Sequence, residues 1–515
     1  MSLLYASRPN PPRSAAGPYN PWLIVAMIAL APFMEVLDTT IANVALTHIA
    51  GSLAVSPEES TWVLTSYLVS NSIILPITGW LQGVVGRKRL FLICIALFTA
   101  SSVLCAFSAS LTMLIVARVL QGLGGGGLQP VTQSMYADSF PQEKRAQVFA
   151  VFGLVIIVAP AVGPILGGWI TDHLSWHWVF LINLPIGLIA FTLIAIFVDE
   201  PMLLVRERAA KLKAGLKFDY FGLFLVATGF GALQIFLDKF SLDDGFGSFF
   251  IRTLFVVWSV SLVTLAVWEW DHPEPVMNVR LFRYRNFSIS CMIMFLIGVI
   301  LLSTTQLLPQ LTQTLLGYSS ETSGFALALG GIATIGLMPV AGIVTGRFIS
   351  PRVLLIGGLI ETGLALIFQS HLAPDASFAT ISFDRVLQVI ALPFLFIPIS
   401  ALSYVGLPPA RNADASALIN QVRNIGGSIG ISFVTTMLAW RTQFHHSRLA
   451  EAITPYVSLH GQTLSEVAAD VQHQAAFMSY LDLFHILGMT ALLVWPVVLF
   501  LGAPAKAAKG VSYEV

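Results

Sequence analysis

The segment WLIVAMIALAPFMEVLDTTIANVALTH, from Trp22 to His48, is long and apolar enough to cross a bilayer as a helix, yet it contains two carboxylates. Glu35 and Asp38 lie three residues apart, so both face the same side of a helix. A charged side chain near the middle of a membrane helix costs roughly 2.5–3.5 kcal/mol on insertion scales, and it usually faces a partner or a water-filled path. We therefore expect this first span to handle protons.

The composition indicates a membrane protein throughout. The chain has 515 residues, of which 56% are hydrophobic and 10% are charged, and its mean hydropathy is +0.80. Soluble domains contain about 25% charged residues. An outer-membrane barrel would alternate apolar and polar residues, a pattern that these segments do not follow. The predicted fold class is an all-α polytopic membrane protein.

The apolar segments predict about fourteen transmembrane helices, each near the ~20 residues that a bilayer requires. If the N-terminus is cytoplasmic, most Lys and Arg residues between spans fall on the cytoplasmic side, as the positive-inside rule demands. Both termini are then predicted to be cytoplasmic. The predicted spans are 22–48, 60–80, 90–109, 112–136, 147–170, 178–198, 219–238, 250–269, 287–314, 323–346, 352–371, 382–405, 413–440 and 478–502.

A short basic segment recurs in the two halves of the chain. The sequence GWLQGVVGRKRL (Gly79 to Leu90) follows the second span, and GIVTGRFISPRV (Gly342 to Val353) follows the tenth. The recurrence favours a duplicated transporter that binds substrate between its halves. The alternative is that glycine and arginine simply mark tight turns. The aligned matches are Gly79 with Gly342, Gly83 with Gly346, and Arg89 with Arg352, and the predicted domains are a six-helix bundle at 1–200, an inserted helix pair at 201–285 and a second bundle at 286–515.

Four stretches resemble motifs of the major facilitator superfamily, in its fourteen-helix drug:proton antiporter branch of EmrB-type multidrug exporters. They are LDTTIANVAL (Leu37 to Leu46), GWLQGVVGRKRL, LIVARVLQGLGGGGLQP (Leu114 to Pro130) and VAPAVGPILGGWI (Val158 to Ile170). The resemblance implies two six-helix bundles with two inserted central helices. It also implies proton antiport across a bacterial inner membrane, with an EmrA-like periplasmic adaptor and a TolC-like outer-membrane channel as partners.

One position departs from the motif. Gly83 stands where the family's loop motif usually carries an acidic residue. We therefore expect Arg87 and Arg89 to use a helix end or other partners.

Asp38, Glu35 and Arg118 are the predicted proton-coupling residues. A carboxylate that alternates between a dry pocket and a site beside a cation would take up a proton in one state and release it in the other. Arg118 matches the arginine that the family associates with proton handling. The alternatives are that Arg118 only pins neighbouring helices together, and that Asp38 belongs to a structural polar cluster with Thr39, Thr40 and Asn43.

Polar and aromatic side chains in three spans predict a substrate cavity. Gln306, Gln310 and Gln313 recur at helical spacing in span nine, which suggests a wet surface. Phe394 and Tyr404 in span twelve offer aromatic faces suited to flat or amphiphilic ligands, although ordinary packing explains such residues equally well. Asn43 in the first span completes the predicted cavity.

Small and kinking residues predict where helices approach and move. Glycines around Gly122 to Gly127 match GxGxxG, but no strand precedes them, so helix packing explains them better than a dinucleotide site. Glycine and proline in span five would bend that helix, or simply let it pack closely. The predicted conformational residues are Gly79, Gly86, Arg87, Arg89, Gly163, Pro164, Gly167, Gly168, Asn420 and Arg423, of which the last two are first of all expected to hold helices together.

Residues 441–477 are predicted to form a long periplasmic loop and a candidate docking surface. Four histidines there lack a metal-binding spacing, so no metal is expected. No Walker motif or other cofactor signature appears, and no clustered catalytic set suggests an enzyme.

The predicted function is proton-driven export of hydrophobic or amphiphilic drugs, with the lipid bilayer as surroundings and no nucleic-acid partner. The alternatives are a dedicated exporter of one metabolite or siderophore, a sugar or anion symporter, and a membrane enzyme or receptor.

Overall fold

Long apolar helices make up most of the computed structural model, which describes residues 20–140, 142–200, 219–345, 347–408, 411–451 and 463–502, with isolated positions between 205 and 213 and residue 453. Eighteen α-helices and no β-strand occur within that part of the chain. The helices are α1 Pro21–Leu53, α2 Pro57–Ser60, α3 Trp62–Val85, α4 Arg87–Ala106, α5 Leu111–Gly125, α6 Leu128–Ser139, α7 Gln142–His173, α8 His177–Leu181, α9 Asn183–Phe197, α10 Tyr220–Lys239, α11 Phe249–Asp271, α12 Arg285–Thr314, α13 Ser320–Val344, α14 Pro351–Gln369, α15 Phe378–Val389, α16 Leu392–Leu402, α17 Asn412–Glu451 and α18 Leu464–Val494.

Polar side chains fix several helix starts. Ser110, Ser319, Ser350 and Ser377 each accept a hydrogen bond from a backbone N–H in the first turn of α5, α13, α14 and α15. Such caps satisfy N–H groups that have no partner inside the helix. A serine therefore marks the start of each of these four helices.

Thirteen helical segments among the described residues are long and apolar enough to cross a membrane. The predicted span at 413–440, within α17, is not among these thirteen segments. It is long enough to cross a membrane but too polar to be counted, because it carries residues such as Asn420 and Arg423. Including α17 gives the predicted fourteen. The predicted fold class, an all-α polytopic membrane protein, is confirmed.

The two halves of the chain pack against each other through corresponding helices. A Cβ atom on Gly79 of α3 would lie 2.9 Å from the Cα of Asp414, at the start of α17. A Cβ atom on Gly342 of α13 would lie 3.2 Å from the Cα of Gln147, near the start of α7. The two glycines aligned by sequence thus make similar close approaches, each to a helix from the other part of the chain. Gly346 lies outside the described residues.

The helices α10 and α11 follow α9 and precede α12 along the chain. α11 exposes most of its apolar surface, whereas α10 packs on α3. The Gln234 side chain of α10 accepts hydrogen bonds from Ser72 in the first half (3.4 Å) and from Ser428 in the second (3.0 Å). The pair is therefore anchored at the seam between the halves.

The predicted loop at 441–477 is largely helical, which corrects the sequence-based prediction. α17 continues to Glu451 and α18 already begins at Leu464. At 1.5 Å per residue the 40 residues of α17 reach about 60 Å, roughly twice the hydrocarbon thickness of a bilayer. An ion pair from Asp482 to Arg441 (2.5 Å) and a hydrogen bond between Asp482 and His445 Nε2 (2.6 Å) fasten α17 to α18. Helix pairing, which hydropathy does not report, explains the extension.

Candidate functional site

Two ends of the bundle are distinguished by their charge. The basic end is where α3 passes into α4 at Gly86 and where α17 begins, and it carries Arg87, Lys88 and Arg89. The opposite end is where α1 and α12 finish, at Leu53 and Thr314.

A fully buried ion pair joins Asp38 of α1 to Arg118 of α5. Arg118 Nη1 donates to Asp38 Oδ2 at 2.6 Å, and neither residue is accessible to solvent. Asp38 Oδ1 accepts further hydrogen bonds from Gln121 Nε2 (2.9 Å) and Asn183 Nδ2 (2.6 Å). Arg118 Nε donates to the carbonyl oxygen of Val63 at 3.0 Å. The structure therefore brings together the carboxylate and the cation that the sequence placed in separate spans.

Glycines on α5 make this contact possible. A Cβ atom on Gly122 would lie 2.5 Å from the carbonyl oxygen of Tyr67, so only glycine permits α5 to sit this close to α3. The close approach places the Arg118 guanidinium 4.4 Å from the centroid of the Tyr67 ring. This cation–π contact adds to the ion pair. The glycine run thus serves helix packing, as its sequence context favoured.

Glu35 lies one helical turn from Asp38 and connects to the other half of the protein. Its carboxylate accepts hydrogen bonds from the Tyr67 hydroxyl (3.1 Å) and from Gln129 Nε2 (2.5 Å). Gln129 Oε1 accepts in turn from the Arg423 guanidinium of α17. Gln129 therefore links a carboxylate of the first half to a cation of the second.

Further polar contacts join α6 to α17 toward the basic end. Asn420 and Gln133 exchange amide hydrogen bonds of 2.8 and 3.3 Å, and Asn412 Nδ2 donates to Asp138 Oδ1 at 2.8 Å. We refer to this set as the basic-end lock. Its members are Gln129, Gln133 and Asp138 in the first half, and Asn412, Asn420 and Arg423 in the second.

The junction between α3 and α4 consists of Gly86 alone, with φ +95°, a conformation that glycine adopts without strain. Arg87 forms an ion pair with Asp138 of the basic-end lock, and its backbone N–H donates to Glu200 at 2.8 Å. Arg89 is exposed. The acidic partner that Gly83 cannot supply thus comes from Asp138, at the end of α6.

The fifth predicted span packs directly beside the ion pair. A Cβ atom on Gly163 would lie 2.2 Å from Thr40 Oγ1, and one on Gly167 would lie 3.1 Å from Ile41 Cγ2. Gly168, by contrast, faces open space. α7 continues through Pro164 without a break. Gly163 and Gly167 therefore set the distance between α7 and α1 at the level of Asp38.

The predicted cavity residues are not gathered in one place. Asn43, Gln310 and Gln313 are exposed toward the opposite end, while Gln306 donates to Thr435 within the second half (3.4 Å). Tyr404 is buried at the basic end, where its ring stacks on Phe149 with centroids 5.6 Å apart. Phe394 lines a separate pocket in the second half.

Sequence reasoning missed several residues that complete the site. Asn183 and Gln121 both bond Asp38, and Gln129 joins Glu35 to Arg423. The available signal was an uncharged amide inside an apolar span, as in LINLPIGL around Asn183. Within the described part of the chain, no three His, Cys, Asp or Glu side chains converge as a metal site.

Comparison with known proteins gives the family. The family model of the Major Facilitator Superfamily matches residues 28–431. The chain is 35% identical over 512 residues to the probable multidrug resistance protein EmrY of Escherichia coli, covering 95% of this chain and 97% of that protein. It is 38% identical over 435 residues to the multidrug export protein EmrB of Haemophilus influenzae, covering 84% of each chain.

A solved structure shows the same fold. The proton:xylose symporter XylE superposes with a TM-score of 0.60 at 15% identity, covering 93% of this chain and 95% of that one. The predicted resemblance is confirmed, and the chain belongs to the Major Facilitator Superfamily, among relatives of the EmrB and EmrY proteins.

Proposed function

We propose that this protein exports hydrophobic or amphiphilic drugs in exchange for protons. Two observations support the export of drugs: the relatives are named as a multidrug export protein and a probable multidrug resistance protein, and their similarity extends over most of the chain. The observation that carries proton coupling is the Asp38–Arg118 pair, which is fully buried inside a bundle of membrane helices. Ionisable residues in such positions are typical of proton relays.

The coupling step follows from the contacts of the pair. A proton bound by Asp38 neutralises the carboxylate, and Arg118 then keeps its hydrogen bonds to the Val63 carbonyl (3.0 Å) and to Gln121 Oε1 (2.7 Å). The attraction between α1 and α5 is weakened by the loss of the ion pair. Glu35 lies on the same face of α1 as Asp38 and accepts a hydrogen bond from Gln129. A movement of α1 would therefore also displace Gln129, a member of the basic-end lock.

The proposal includes the orientation and the partners. The basic end faces the cytoplasm, in agreement with the positive-inside rule, and the protein lies in the bacterial inner membrane with both termini inside. In this conformation the basic-end lock closes the cytoplasmic side. The paired extensions of α17 and α18, fastened at Asp482, project on the periplasmic side and form the surface that an EmrA-like adaptor would contact, with a TolC-like channel beyond it.

The test is a flux assay in proteoliposomes, in which an imposed pH gradient drives the movement of a panel of unrelated dyes. Asp38→Asn should reduce pH-driven flux to the level of empty liposomes. It also leaves Arg118 charged without its counter-ion, a change that typically costs 3–5 kcal/mol in buried pairs (an order-of-magnitude figure). The double variant Asp38→Asn/Arg118→Gln removes both charges and so leaves no unpaired buried charge. Loss of flux in this variant then reports on proton coupling rather than on misfolding.

The control is Asp375→Asn, because Asp375 is exposed and outside the spans. Undiminished pH-driven flux in a folded double variant would contradict proton coupling through Asp38. If only one compound of the whole panel were transported, the result would favour the alternative of an exporter dedicated to a single metabolite or siderophore.

A further inference from the structure

The pocket lined by Phe394 lies in the second half of the chain, away from the Asp38–Arg118 pair. Its volume is about 320 Å³. It is bounded by α13, by one face of α14 and by the junction of α15 with α16. The lining residues are Leu337, Val353, Leu354, Gly357, Gly358, Glu361, Ile390, Ala391 and Phe394.

Glu361 is the only charged residue among the described residues of this lining. Both of its carboxylate oxygens are shielded from solvent, and neither has a hydrogen-bond partner in the part of the chain that the structure describes. Asp38 and Glu35 satisfy their oxygens with a guanidinium, amides and a hydroxyl, whereas the other residues that line the pocket around Glu361 are apolar or glycine. Buried polar groups in proteins are nearly always paired, so the two shielded oxygens of this partly buried residue call for a partner from outside the described residues.

The pocket is reached from the lipid side. Val353, Leu364 and Phe368 of α14 are each more than half exposed, and Gly357 is exposed between them. Glu361 lies four residues after Gly357 and three before Leu364, so it belongs to the same helical stripe. An exposed apolar stripe on a membrane helix faces the hydrocarbon chains. Along this stripe, a ligand dissolved in the bilayer has a path to the pocket.

The depth of Glu361 narrows the class of ligand. It lies ten residues after Pro351, the first residue of α14, which corresponds to about 15 Å along the helix and hence to about half of the ~30 Å hydrocarbon core. The ammonium groups of lipids stay at the membrane surface, out of reach of this depth. A cation that carries its own apolar body can reach it.

We propose that this pocket binds a lipophilic cation that has partitioned into the bilayer. The cationic centre pairs with Glu361, the aromatic ring of Phe394 contacts its apolar or positively charged surface, and the glycines of α14 leave room for its bulk. The inference deepens the proposed function, on which it rests, by naming cationic amphiphiles as a substrate class. Binding itself requires no proton gradient, so it can be measured separately from transport.

The test is equilibrium binding of radiolabelled tetraphenylphosphonium to the full-length protein in nanodiscs of phosphatidylcholine and phosphatidylglycerol. We expect Glu361→Gln to weaken binding at this site at least tenfold or to remove one bound probe per protein, and Glu361→Asp to retain it. Gly357→Phe should also abolish this binding by filling the pocket, since a Cβ atom there meets nothing within 4 Å.

Gly336→Phe is the matched control. Gly336 also has open space at its Cβ position, but it does not line the pocket. Binding that is unchanged by Glu361→Gln, or reduced equally by Gly357→Phe and Gly336→Phe, would overturn the proposal. Loss of probe binding on adding phosphatidylethanolamine would overturn it too, because a lipid ammonium group would then be the ligand. Failure of proton coupling appears only in the flux assay, so the two failures are distinguishable.

Discussion

Gly79 controls how closely the two halves approach at the basic end. The helix α3 passes the start of α17 at this residue, and a Cβ atom would lie 2.9 Å from both the α-carbon and Oδ1 of Asp414. Two carbon atoms at this separation are well inside their optimum of 3.5–4.0 Å and repel each other. We predict that Gly79→Ala disfavours the conformation in which the basic end is closed.

The size of the effect follows from this overlap. Because the α-carbon of Asp414 belongs to the backbone, relief requires α17 to move by several tenths of an ångström, and overpacking of this kind costs about 1–3 kcal/mol. If the strain is present only while the basic end is closed, the ratio of closed to open molecules should fall about 5- to 150-fold. Gly168→Ala is the matched control, since its Cβ atom meets nothing within 4 Å.

The populations can be measured by electron paramagnetic resonance distances between spin labels on cysteines introduced at Arg89 and Phe348. Both positions are exposed near the basic end, one in each half, and the native cysteines at 94, 105 and 291 are buried. Gly79→Ala should shift the distribution toward longer distances, and Gly168→Ala should leave it unchanged. An unaltered distribution in Gly79→Ala, or an equal shift in both variants, would refute this reasoning.

Three further predictions concern residues that the structure places at the site or at the seam. Asn183→Leu removes a hydrogen bond to Asp38; it should lower the free energy of unfolding by about 1–3 kcal/mol and reduce pH-driven flux, and unchanged thermal stability would argue against the contact. Asp138→Asn deprives Arg87 of its carboxylate and should lengthen the same spin-label distance, whereas Lys88→Gln, at the neighbouring position outside the basic-end lock, should not. Gln234→Leu removes the acceptor shared by Ser72 and Ser428 and should cost about 0.5–1.5 kcal/mol per hydrogen bond in thermal unfolding; no loss would show that α10 is held by apolar packing alone.

Local patterns in the sequence were sufficient to predict the transmembrane spans and to place the two carboxylates of the first span on one helix face. Apolar runs of about 20 residues identify membrane helices because each helix satisfies its own backbone hydrogen bonds, whatever its neighbours are. The spacing of Glu35 and Asp38 places them on one face of α1 for the same local reason. Arg118 was recognised from a motif, and the structure pairs it with Asp38.

Other features depend on helix neighbours. The predicted loop after residue 440 proved to be a helical extension, because α17 and α18 support each other through Asp482, a contact between residues 37 and 41 positions apart. Because Gly83 replaces the usual acidic residue, the sequence did not identify the partner of Arg87. The structure shows that this partner is Asp138, from another helix. Tyr404 and Gln306 were assigned to one predicted cavity from their side-chain types. In the structure, Tyr404 stacks on Phe149, whereas Gln306 contacts Thr435.

What the sequence determined by itself is therefore the membrane class and the acidic face of the first span, since each is encoded within single helices. The duplication of two halves stays a prediction. Only the tertiary structure decided that Asn183 reaches Asp38 across 145 positions and that Arg423 reaches Gln129 across 294. It also left Glu361 without a hydrogen-bond partner among the residues it describes, although the sequence already places this carboxylate inside an apolar span. The physical reason is that hydropathy and helical spacing act over a few residues, whereas a hydrogen bond needs its two atoms within about 3 Å, which only the packing of distant helices provides.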